Sequence, residues 1–271
     1  MTAGTTARKV ARSDGFKGLA KLGFAARGTI YLLIGWFAVL LALGKQPPET
    51  DQRGALQEVV RHNGGFLLLW VIAIGLTGYA LFRFSEAAFG VVGDTKGHEK
   101  GPRLKSLFRG CLYAFFAVNA FNLLATARTK SQAGQQQQLT TRVMQHSLGR
   151  WLVGIVGAVV IVVGLALVYE GLKRKFKKYF ALADMPTGSR RIVWFLGTFG
   201  TTARGVVFAL TGFFLVRAAW DYDPSKARGL DGALRRTVAD SDLGRTLVGV
   251  VAVGLIAFGL YCYAEAAWRR T

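Results

Sequence analysis

The chain has 271 residues, 52% of them hydrophobic, with 34 glycines, 35 Lys and Arg and only 15 acids. That composition, with a positive mean hydropathy, sets aside a soluble two-domain protein, and the net charge of +20 has to be read through its distribution before any partner is inferred. Six stretches reach the roughly 20 mainly apolar residues a helix needs to cross about 30 Å of hydrocarbon, and none alternates like a barrel strand, so the expected fold is an all-α polytopic membrane protein.

Residues 1–13 form a small, polar and basic arm, and Ser13-Asp14 supplies an N-cap for a lead-in containing Phe16, Leu19, Ala20 and Leu22. Lys17 and Lys21 would face headgroups, which predicts a lead-in lying at the interface until the chain turns inward near Arg27. The first span runs from Phe24 to Leu43, too long for the core of a cleavable signal, so it is expected to remain. An outer loop follows with Pro47-Pro48 and a short amphipathic helix carrying Ala55, Leu56, Val59 and Val60, which either caps the bundle or rests on lipid. The second span covers Phe66 to Phe89.

The third span, Gly110 to Ala127, holds Asn119 and Asn122 on one helix face. Amides there are read as contacts to a neighbouring helix, with a solute path as the alternative. After the polar run Ser131 to Gln138, taken as an outer loop, the fourth span (Trp151 to Leu172) places Gly154 and Ala158 four apart for close helix approach. The basic run Lys173, Arg174, Lys175, Lys177 and Lys178 is expected to contact anionic headgroups, at about 1 kcal/mol per cation. Trp194, Phe195 and Phe199 lead into a fifth span (Ile192 to Trp220) with Gly205 and Ala209. A second outer helix, Gly232 to Val238, precedes the sixth span, Thr246 to Trp268.

The spans repeat in pairs. Arg27-Gly28 opens a unit that ends at Glu86, Arg109-Gly110 one that ends at Glu170, and Arg204-Gly205 one that ends at Glu265. The second and third units align without a gap at an offset of 95: Leu148-Gly149-Arg150 and Gly164-Leu165 fall on Leu243-Gly244-Arg245 and Gly259-Leu260. In the first and third, Gly35 matches Gly212 and Gly75-Leu76 matches Gly254-Leu255. The units are bounded as repeat 1 (14–92), repeat 2 (102–178) and repeat 3 (190–271). Two spans per unit return the chain to its starting side, which predicts parallel repeats about a pseudo-threefold axis. An Arg and a carboxylate at matching depth near hydrocarbon are natural partners, so Arg27, Glu86, Arg109, Glu170, Arg204 and Glu265 are read as intramembrane ion pairs, within or between copies. Snorkelling and an anionic ligand are the alternatives.

On the side of the termini, 18 Lys and Arg face 4 acids, against 13 and 8 on the opposite side, so both termini are expected in the cytoplasm. His62, His98 and His146 fall in loops, Cys111 and Cys262 read as packing residues, and no metal, phosphate-loop or nucleophile motif occurs. No enzyme activity, cofactor or metal is therefore expected, and the cations lack the stacking aromatics or module that nucleic-acid binding requires. The sequence supports a non-enzymatic membrane scaffold or accessory subunit, alternatively a channel or transporter for a small solute, with lipid, a membrane protein or a second copy as partner.

Three tandem two-helix units with a repeated Arg-Gly entry, a glycine-rich return helix and a terminal acid resemble the bacterial membrane proteins of domain-of-unknown-function family 1206. The resemblance spans nearly the whole chain. It implies a transmembrane helix pair occurring three times and a bacterial inner membrane, and it supplies no activity.

Overall fold

The computed structural model describes residues 13–62, 64–90, 100–126, 149–181, 185–221 and 230–269. The rest of the basic arm, the run Ser131 to Gln138, His98 and His146 lie outside the described residues. In chain order the helices are α1 (Asp14–Ala42), α2 (Gln52–Arg61), α3 (Gly65–Phe89), α4 (Lys100–Thr126), α5 (Gly149–Leu172), α6 (Thr187–Trp220), α7 (Leu230–Asp240) and α8 (Asp242–Trp268), with a 3₁₀ turn at Lys175–Tyr179. Six of them, all but α2 and α7, are long and apolar enough to cross a membrane.

Helix starts follow the polar residues that precede them. Ser13 Oγ accepts the Phe16 amide at 3.4 Å, Asp51 Oδ1 the Gly54 amide at 2.9 Å and Ser241 Oγ the Gly244 amide at 3.0 Å. From Ser13 onward α1 is unbroken for 29 residues, about 43 Å at 1.5 Å per residue, so the expected turn near Arg27 does not occur. Packing explains the difference. A Cβ on Gly23 would stand 2.7 Å from the Tyr79 backbone nitrogen, so the lead-in is held against α3 instead of lying at the interface. The lead-in of α6 is likewise part of one 34-residue helix.

The two short helices cap the end of the bundle away from the termini. Ala55, Leu56 and Val59 of α2 and Ala233 and Leu234 of α7 are buried. The Thr50 amide donates to Asp231 Oδ1 at 2.7 Å and Arg235 donates to the Pro47 carbonyl at 3.0 Å, which joins the two caps. Of the two readings for α2, packing on protein is the one realised.

Side by side, the spanning helices run in the order α4, α3, α1, α8, α6, α5. Neighbouring copies meet at α3/α4, α1/α8 and α5/α6. Two of these seams share one design, in which glycines let backbones touch. A Cβ on Gly28 would lie 2.9 Å from the Gly259 carbonyl oxygen, and one on Gly205 would lie 2.7 Å from that of Gly164. Gly28 and Gly205 are equivalent in the repeat, as are Gly259 and Gly164. At the third, Gly110 meets the Phe84 ring instead.

Within copies, α1 packs on α3 and α6 on α8, but α4 and α5 do not pack along their lengths among the described residues. The expected threefold ring is thus open at the middle repeat. In repeats 1 and 3 the hairpin closes on small residues: Gly23 and Ala26 face α3 at Tyr79 and Gly75, and Gly200 and Ala203 face α8 at Phe258 and Gly254. The repeat register puts Lys105, Phe108 and Val159 where those copies have Gly23/Gly200, Ala26/Ala203 and Gly75/Gly254. Side chains of that size hold the backbones apart, and Phe108 and Val159 are exposed.

Candidate functional site

Arg27 sits thirteen residues into α1, enclosed by the rings of Phe24, Tyr79 and Phe258 at 5.5, 5.0 and 5.2 Å. A guanidinium that deep requires compensation. It donates to Glu265 of α8, to the Tyr79 hydroxyl at 2.5 Å and to Cys262 Sγ at 3.2 Å. Glu265 also accepts from Arg269 at 2.5 Å, and Arg269 reaches Glu86 at 3.3 Å. Glu86 in turn pairs with Arg83 at 2.5 Å, and Arg83 donates to the Tyr79 hydroxyl at 2.6 Å. The six residues form a closed ring that ties α1, α3 and the end of α8 together. Ser106 of α4 adds a 3.1 Å bond to Glu86.

The equivalent arginines of the other copies do not repeat this. Arg204 is 9% exposed and stacked among Tyr31, Phe208 and Phe258 at 5.6, 5.3 and 5.1 Å. Among the described residues it makes no hydrogen bond or ion pair, and its Nε is buried without a partner. Arg109, half-buried on α4, also makes no ion pair or hydrogen bond among those residues. Pairs within copies, Arg109 with Glu170 and Arg204 with Glu265, therefore do not form, and Arg27 meets Glu265 and not Glu86, which is the between-copies form of the expected pairing. The reason lies in the seams: the Arg-bearing helix packs most closely on the return helix of the preceding copy, so Glu170 is the acid due to Arg204. Glu170 instead accepts from Lys105 at 2.7 Å across the open middle repeat, where both side chains meet solvent.

These arginines surround one cavity of about 380 Å³ at the end of the bundle that carries both termini. Arg27, Arg83, Arg109, Arg204 and Arg269 line it, as do Lys105, Lys175, Lys178 and the acids Glu170 and Glu265. The ring's three arginines and two carboxylates leave one positive charge in excess, and Arg109 and Arg204 add two more. Such a site is electrostatically incomplete, and an anion with several acceptor oxygens would complete it.

Other residues singled out by sequence have different places. Lys177 lies over the Trp194 ring at 3.8 Å, and Arg174 lines a separate groove with Arg191 and Trp194. Lys173 is exposed. Asn119 donates to the Phe115 carbonyl of its own helix at 2.8 Å, and neither Asn119 nor Asn122 lines the cavity. His62 ends α2 beside Glu58 at the far end, and Cys111 and Cys262 are both free thiols. Sequence reasoning overlooked Tyr79, Ser106 and Arg269. Arg269 had a usable signal, because the offset of 95 puts it on Arg174 at the close of a repeat. A β-bridge to Phe180 and an Ala181 amide bonded to the Trp268 carbonyl at 3.0 Å hold its backbone in place.

A family model, the Domain of Unknown Function (DUF1206), matches three times in tandem, at residues 22–90, 104–174 and 199–269. The chain belongs to domain-of-unknown-function family 1206. Each match begins just ahead of a repeat arginine and ends just beyond its acid, so the family's unit carries both halves of the charge pattern described above. The chain is also similar to a protein from Bacillus subtilis (strain 168), the uncharacterized protein YxxB, 31% identical over 265 residues that cover 94% of this chain and 93% of the relative. No solved structure matches the chain. With six helices long and apolar enough to cross a membrane, it is a multi-pass bacterial membrane protein built from three tandem family 1206 units.

Proposed function

We propose that the protein is a non-enzymatic accessory or scaffold component of the bacterial inner membrane that binds a phosphate-type anion in its arginine cavity, on the cytoplasmic face. The carrying observation is Arg204, a buried guanidinium aimed into the cavity with aromatic rings beside it and no acid against it among the described residues. Leaving a buried charge unpaired costs several kcal/mol, and a desolvated ring contact returns on the order of 2 kcal/mol without neutralising the charge, so an exogenous anion is the natural counter-charge. The excess of Lys and Arg on the side of the termini supports the cytoplasmic orientation. Transport through the bundle is less well supported, because the polar lining gathers at one end and the residues beyond it, such as Ile30, Ile34, Leu76 and Leu255, are buried and apolar.

Thermal unfolding of delipidated protein in a nonionic detergent tests the reading. Inorganic phosphate at constant ionic strength is expected to raise Tm saturably, and Arg204→Gln to abolish the rise. A rise no larger than chloride gives, or one that survives Arg204→Gln, would remove the proposal.

A further inference from the structure

Resting on that reading, we infer that the anion is the headgroup phosphate of a membrane phospholipid, which enters sideways through the open seam between α4 and α5. Three observations converge. The cavity wall facing the seam is made by Gly101, Lys105 and Arg109 of α4 and by Leu167 and Glu170 of α5. Those two helices do not pack along their lengths among the described residues. Each is instead committed to a neighbour in another copy, α4 to α3 through Gly110 against Phe84, and α5 to α6 through Gly157 and Gly164.

The seam suits an amphipathic ligand along its length. At the level of the cavity it offers cations, with only the solvent-accessible Lys105–Glu170 contact across it. Beside Arg109 on α4, and further in from Leu167 along α5, at the register where repeats 1 and 3 close on alanine and glycine, it presents the exposed apolar side chains Phe108 and Val159. A headgroup in the cavity therefore leaves its acyl chains beside α4 and α5 at the depth of the hydrocarbon, whereas a soluble phosphate has no use for that apolar margin. The charge complements the ligand: Arg109 and Arg204, neither in an ion pair among the described residues, both line the cavity. Replacement of the small residues by Lys105, Phe108 and Val159 in one copy alone places the opening, among the described residues, at this seam.

The test reconstitutes the full chain in phosphatidylcholine vesicles doped with phosphatidylglycerol bearing a photoactivatable diazirine in an acyl chain. Illumination is expected to label peptides around Phe108 and Val159 several-fold more than the outward faces of α3 and α8. Arg204→Gln, or Arg109→Gln as the second variant, should reduce that excess to the background level, and so should an excess of unlabelled phosphatidylglycerol. Uniform labelling insensitive to both variants would overturn the lipid assignment. The separate phosphate titration distinguishes the two levels. Arg204-dependent stabilisation by inorganic phosphate together with uniform labelling means a soluble anion and refutes the lateral lipid. Seam labelling that neither variant reduces refutes it as well, because the headgroup is then not held by the cavity, and absence of both effects refutes the cavity's anion role along with it.

Discussion

The α1/α8 and α5/α6 seams have the same backbone construction and opposite electrostatics. Each brings a glycine that follows the repeat arginine against a glycine of the neighbouring return helix, Gly28 on Gly259 and Gly205 on Gly164. In the first seam Arg27 closes on Glu265. In the second Arg204 meets no acid among the described residues, because Glu170, one repeat equivalent from Glu265, reaches across to Lys105. Because the glycine contact is the same, the difference does not come from looser packing. It comes from the middle copy, where Lys105, Phe108 and Val159 stand in place of glycine and alanine and hold the hairpin open, and where Lys105 draws off the acid. A threefold repeat has thus kept its scaffold while one copy of its charge pair holds the bundle and another is left free to bind.

The largest expected effect is at the acid that serves two arginines. Glu265→Gln leaves Arg27 and Arg269 without their shared carboxylate and should cost about 3–5 kcal/mol in detergent unfolding, whereas Glu170→Gln, at an exposed pair, should cost less than about 1 kcal/mol. Equal losses would erase the distinction between the seams. Next come the glycines: Gly28→Val and Gly205→Val should each destabilise by about 1–3 kcal/mol, because both force packed backbones apart. A large loss at one and none at the other would show that the seams are not built alike. Smaller again is the pairwise coupling. A double-mutant cycle of Arg27 with Glu265 should give about 0.5–3 kcal/mol and one of Arg204 with Glu170 near zero. A coupling of similar size in the second cycle would restore the pair that the structure lacks.

Much of the architecture is legible in the sequence, since span length and a 95-residue offset are local or periodic properties. The six spanning helices and the cap helices at Gln52–Arg61 and Leu230–Asp240 follow from apolar period and length. The charged positions are also legible, but their partners are not. Arg27 could as well have met Glu86 on its own hairpin. Which acid it meets depends on which seam packs closest, and Arg83 and Arg269 compete for Glu86 from one turn away and from the chain's far end. Continuity of α1 through Arg27 depends on Gly23 finding Tyr79 across the hairpin, a long-range contact that a reading of surface amphipathicity does not contain. The open middle repeat had a signal in the register itself, where Lys105, Phe108 and Val159 replace glycine and alanine. It acquires meaning only once the glycines of the other copies are seen in contact.

The central claim is that equivalent arginines have parted roles, Arg27 structural and Arg204 poised for an anion. Unfolding of delipidated, phosphate-free protein carrying Arg27→Gln or Arg204→Gln tests it most directly. Neutralising Arg27 should strand Glu265 against Arg269 alone and cost about 3–5 kcal/mol, whereas neutralising Arg204 removes an uncompensated buried charge and should leave stability unchanged or higher. A loss of similar size for Arg204→Gln would contradict the account.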